Sequence, residues 1–94
     1  MRAAQLHINE SKLRINDVPV REPSDDEVKV NVKCCGVCGS DVHLTVHKQV
    51  KLKHYPRILG HEASGVVNKT GAKVTQFRNG DRVVIHAGTS CGNC

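Results

Sequence analysis

With 94 residues, 38% hydrophobic, 24% charged and only 2% aromatic, the chain has room for one small domain whose core must come from Val, Ile, Leu and Ala. Fourteen Lys and Arg against nine Asp and Glu leave a formal charge of +5, yet the near absence of aromatic rings argues against nucleic acid, whose bases stack on them. No run nears the roughly 18 apolar residues of a membrane span, the opening MRAAQLHINE lacks a leader's apolar stretch, and five cysteines suit reduced thiols or a metal site better than secreted disulfides, so the cytoplasm is expected, with no nucleic-acid or membrane partner.

Met1 to Ile8 and Lys12 to Val18 read as two strands joined by Asn9-Glu10-Ser11, an opening hairpin. Val20 to Glu27, with Pro23, Ser24 and two aspartates, is expected to be an extended, solvated connection. From Val28 to Cys34 apolar and polar residues alternate at every step, which predicts a strand with one buried face, Cys34 inward with the valines and Cys35 the other way. Gly36 stops that strand, and Gly39-Ser40-Asp41 forms a turn whose Ser40 or Asp41 caps a short helix through Val46. His47 to Arg57 is basic and runs into Pro56, the pattern of a solvated surface loop. Ala63 to Val67 predicts another strand, and Asp81 to His86, after the Asn79-Gly80 turn, a mostly buried one. Several short strands and one marginal helix predict a mainly β fold, a small barrel or sandwich.

Cys35-Gly36-Val37-Cys38 and Cys91-Gly92-Asn93-Cys94 are both CxxC units, a spacing that lets two thiolates grip one zinc ion from a tight turn. The stretch between them is far longer than the roughly 15 to 20 residues of a compact zinc ribbon, so one four-cysteine site and two separate sites both stay open. Only Cys38 stands clear of the strand, while Cys34 and Cys35 read as small buried or half-buried thiols. Cys38, His61 and Glu62 together offer sulfur, nitrogen and oxygen donors suited to a zinc ion that keeps one position open. Asp41 could accept the other ring N–H of His61 and fix its tautomer.

Three segments carry a resemblance. Gly36-Val37-Cys38-Gly39-Ser40-Asp41, Gly60-His61-Glu62-Ala63-Ser64-Gly65 with Gly71 and Val74, and Gly80-Asp81-Arg82-Val83 followed by Cys91-Gly92-Asn93-Cys94 resemble, in order, motifs of the zinc-dependent alcohol dehydrogenases of the medium-chain dehydrogenase/reductase group. The resemblance implies a GroES-like β-barrel with one or two short helices, residues 1–94 being the N-terminal part of the catalytic domain and the Rossmann cofactor domain lying outside this chain. It implies Cys38 and His61 as catalytic zinc ligands, Glu62 as a ligand or neighbouring carboxylate, and Cys91 and Cys94 as two structural zinc ligands. It further implies hydride transfer between an alcohol and NAD or NADP in a homo-oligomeric parent, with Ser40 taking the hydroxyl proton and His43 passing it to solvent. Taken alone, Ser40 reads as a helix cap and His43 as a surface histidine. Gly39, where some relatives carry a basic residue, offers no phosphate contact and resembles the polyol and secondary-alcohol members. No GxGxxG occurs and the metal site is incomplete, so the chain by itself is expected not to turn over. The rivals are a non-enzymatic zinc module sharing Cys35, Cys38, Cys91 and Cys94, and a zinc-free reductase relative with the same barrel.

Overall fold

In the computed structural model, residues 1–47 and 52–88 are described, and they fall into two compact units. One comprises Met1–Val20 and Val37–Gly60, the other Arg21–Gly36 and His61–Cys94. The mainly β character expected from the sequence holds in both.

In the first unit, β1 (Arg2–Leu6) and β2 (Leu13–Asp17) form the expected hairpin, paired from Arg2 with Asp17 to Leu6 with Leu13. Asn9 makes the turn at φ 64, a left-handed value that Asn tolerates better than most residues. The open end is closed by paired bonds, Val18 N–H donating to Met1 O and the Met1 ammonium to Val18 O, both at 2.8 Å. A two-residue strand, β4 (Arg57–Ile58), pairs with the other edge of β1 and gives the sheet order β2-β1-β4. The sequence reading placed Arg57 at the end of a loop and left Ile58 unassigned. Two residues carry no periodicity, and the strand exists because β1 supplies a ladder for it. Residues 48–51 of that loop lie outside the described residues. Central β1 buries Ala3 and Leu6.

The second unit is a sheet of order β3-β5-β6, all antiparallel, from β3 (Val28–Gly36), β5 (Glu62–Thr70) and β6 (Arg82–Val84). Central β5 buries Ala63, Gly65 and Val67 at alternate positions, the period of a strand. Gly65 is needed there, because a Cβ would overlap the Asn31 carbonyl oxygen and lie 2.8 Å from Val30 Cγ1. The Asn79-Gly80 turn leads into β6 as expected, with Gly80 at φ 95 and its N–H donating to Val67 O.

Two expectations for this sheet are corrected. Cys34 does not point inward with the valines, and both Cys34 and Cys35 are exposed. Val32 pairs with Gly65 but Cys34 with Ser64, so Lys33 is an extra residue, a β-bulge that moves Cys34 to the opposite face from Val32. Nor is the last strand mostly buried, for Val84 is 82% exposed and, among the described residues, its strand pairs with β5 alone.

The connection over residues 21–27 is solvated as expected, and ion pairs tie it down. Glu22 accepts from Lys29 Nζ at 2.8 Å and Lys69 Nζ at 2.7 Å, and Arg21 forks onto Glu27. The two lysine hydrogen bonds hold the Glu22 carboxyl down to about 2, and the Arg21 guanidinium holds Glu27 well below the ordinary carboxylate range.

Candidate functional site

In the first unit the functional candidates stand on one short helical segment. α1 (Gly39–Val42) is followed directly by a π-helical turn, His43–His47, so together they span the predicted helix. The residue before α1 is Cys38, extended at φ −89 and ψ 156, and it occupies the cap position expected for Ser40 or Asp41. Ser40 lies inside the helix. Asp41 still serves the cap, from within: its carboxylate accepts from Cys38 N–H at 2.9 Å, while its own N–H donates to Cys38 O at 3.0 Å. The turn carrying the half-buried Cys38 is thus held by two reciprocal bonds.

Gly39 needs no glycine for space, since a Cβ there meets nothing within 4 Å. His43 ends α1 and is exposed, three residues beyond the exposed Ser40 and so on roughly the same face. Its ring lies against that of His47, with centroids 5.4 Å apart and planes inclined at 40°. The sequence reading ended the helix at Val46 and placed His47 at the start of the basic surface loop, whereas the helical turn runs on to include it.

In the second unit His61 is half-buried and leads into β5, whose first residue is the exposed Glu62. Gly60, at φ 104, makes the turn before them, a backbone angle that glycine adopts without strain. Glu62 pairs in register with Gly36, the last residue of β3. A Cβ on Gly36 would lie 2.6 Å from Glu62 Oε2, so the carboxylate fills the space that glycine leaves. This role of Gly36 was also missed, being a contact between strands distant in sequence.

Among the remaining candidates, Cys35 is exposed, its thiol in weak contact with the Gly36 carbonyl at 3.6 Å. Cys91 and Cys94 lie outside the described residues. His86 folds its Nδ1 against Gly88, and His7 meets the Asn16 side chain at 3.3 Å, both local contacts. No described helix is long and apolar enough to cross a membrane.

The family model of the alcohol dehydrogenase GroES-like domain matches residues 24–94. Among curated proteins, a sorbitol dehydrogenase of Bacillus subtilis is 38% identical over 96 residues, covering 100% of this chain and 27% of its own. An alcohol dehydrogenase of Schizosaccharomyces pombe is 44% identical over 89 residues, covering 94% of this chain and 25% of its own. Among solved structures, an NAD-dependent alcohol dehydrogenase superposes with a TM-score of 0.88 at 36% identity, covering 100% of this chain and 28% of that one. A cobalt- and zinc-bound thermostable alcohol dehydrogenase from Pyrobaculum aerophilum gives 0.87 at 34%, covering 100% and 29%. The chain spans about a quarter of the length of the curated relatives it matches.

Proposed function

The chain belongs to the alcohol dehydrogenase GroES-like domain family, and on that premise we propose that it is the N-terminal part of the catalytic domain of a zinc-dependent dehydrogenase. The parent enzyme, a cytoplasmic homo-oligomer, moves hydride between an alcohol and NAD or NADP. A polyol or secondary alcohol is the substrate class, supported by the sorbitol dehydrogenases and the D-xylulose reductases among the relatives.

The observation that carries the reading is the seat of Glu62 over Gly36, a space kept open by the absence of one methyl group. Cys38 follows Gly36 by two residues and His61 precedes Glu62 by one, so donor-bearing residues flank both members of this strand pair. A thiolate, an imidazole and a carboxylate make a mixed donor set that fits zinc, and Cys91 with Cys94 would hold part of a structural zinc. Zinc, when bound, supplies Lewis acidity that makes an alcohol hydroxyl easier to deprotonate.

The chain's own residues do the rest. The bonds between Asp41 and Cys38 keep the sulfur's turn rigid before any ligand arrives. Ser40 Oγ accepts the alcohol's proton as it gives up its own, which the exposed imidazole of His43, one turn further on, takes up and passes to water.

Metal counting tests this. Zinc per chain, measured by elemental analysis on the purified protein, should fall by one equivalent in Cys38→Ser and again in His61→Gln, and stay unchanged in Cys35→Ser. Loss of zinc in Cys35→Ser as complete as in Cys38→Ser would establish the four-cysteine module instead. Equal zinc in all variants, or none in any, would favour the zinc-free relative. NAD(P)-dependent alcohol oxidation by the 94-residue chain alone would refute the division of the active site between this chain and further sequence.

A further inference from the structure

We propose that His43 and His47 form a second, exposed metal site, a two-imidazole clamp for a tetrahedral divalent ion of the zinc or cobalt type. Both residues belong to the π-helical turn, and both are exposed. Their centroids are 5.4 Å apart. An ion at a usual Zn–N distance of about 2.0 Å sits about 3.2 Å from an imidazole centroid, so two centroids with this separation subtend about 115° at the ion, close to a tetrahedral angle.

The inclination of the rings matters as much as the distance. An imidazole nitrogen directs its lone pair in the ring plane, and the lone pairs of two flat-stacked rings run parallel without meeting. Planes inclined at 40° intersect, and a single ion on the line of intersection lies in both. Water completes the shell on an exposed surface. Nitrogen and oxygen donors then favour zinc, cobalt and copper over magnesium or calcium, which take oxygen. Because the two ligands share one turn, binding the first holds the second at a high effective concentration, which a lone surface histidine lacks.

The site shares His43 with the proton path proposed above but none of the donors Cys38, His61 and Glu62, so a test that reads metal binding does not depend on the dehydrogenase reading. The purified chain is first loaded with zinc and dialysed, which leaves the sulfur-containing sites occupied, and is then titrated with cobalt(II) by calorimetry and visible absorption. One additional cobalt should bind, with tetrahedral d–d bands and no thiolate charge-transfer band. His43→Gln and His47→Gln should each weaken that binding by about tenfold or more, as expected when a chelate becomes a single ligand, and His54→Gln should leave it unchanged. Far-UV circular dichroism identical to the parent shows that the variants remain folded. Equal cobalt affinity in all four proteins overturns the site. Loss in His43→Gln with none in His47→Gln also overturns it, since that reports a lone imidazole, and so does a charge-transfer band that survives in both variants.

Discussion

Placing a methyl group at Gly65 should cost far more stability than placing one at Gly36, although both glycines are crowded by neighbours across the β3–β5 pair. At Gly65 the obstacle is backbone: the new Cβ overlaps the Asn31 carbonyl oxygen and lies 2.9 Å from the carbonyl carbon. Carbon atoms normally meet at about 3.5–4.0 Å, so the ladder must open by roughly 0.6–1 Å. Overpacking of this kind costs about 1–3 kcal/mol, and stretching the two adjacent ladder bonds costs about 1 kcal/mol each. The lower unfolded-state entropy of alanine returns about 0.5–1 kcal/mol, leaving a net loss of about 2–4.5 kcal/mol. In a domain of this size that lowers the melting temperature by roughly 10–35 °C. At Gly36 the obstacle is the end of a flexible side chain, Glu62 Oε2, which can swing aside, so stability should change by less than about 1 kcal/mol. Thermal and urea unfolding followed by far-UV circular dichroism measure both variants. A Gly65→Ala protein within about 0.5 kcal/mol of the parent, or one more stable than Gly36→Ala, would refute the claim that backbone approach dictates glycine at position 65.

Leu6, 2% exposed in central β1, should cost about 2–5 kcal/mol when cut to alanine, whereas Ile15→Ala on exposed β2 should stay within about 0.5 kcal/mol; equal unfolding midpoints would show that β1 has no inner side. Glu22 has a folded pKa held below the ordinary 4.5, at about 2, so its two lysine contacts stabilise the fold above 4.5 and lose that effect as pH falls from there through about 2. Urea midpoints of the parent and Glu22→Gln should therefore differ at neutral pH and converge across that window, and a difference that stays constant down to the lowest pH would count against the ion pairs.

The hairpin, the strand at residues 28–34, the Asn79-Gly80 turn and the short helix were all legible, because turn chemistry and period-two alternation are local properties. What the alternation could not convey was phase beyond Val32. One unpaired residue, Lys33, reverses which face the next side chain takes, and nothing in its identity marks it as a bulge. Burial of β6 was overestimated for a related reason, since Val83 and Val84 look alike in a sequence and only sheet order makes their strand an edge. Cys38, His61 and Glu62 stand out as candidates in the sequence because cysteine, histidine and glutamate carry their chemistry in their identity. Gly36 as the seat of a carboxylate and His47 as the neighbour of His43 were not legible, since each depends on a partner that a linear reading does not supply.

The order β3-β5-β6 also bears on how the chain stays dispersed while it is being made. Among the described residues nine-residue β3 is an outer strand of its sheet, paired on one side with β5, and an outer strand is a template for pairing by another molecule. Its apolar residues are never adjacent over the first six positions: Lys29, Asn31 and Lys33 separate Val28, Val30 and Val32, so an intruding strand in a matched antiparallel register would set lysines near lysines. The bulge at Lys33 adds a bend that a straight invader cannot follow. The same residue that hid the phase of the strand from a linear reading is thus a guard against edge-to-edge aggregation.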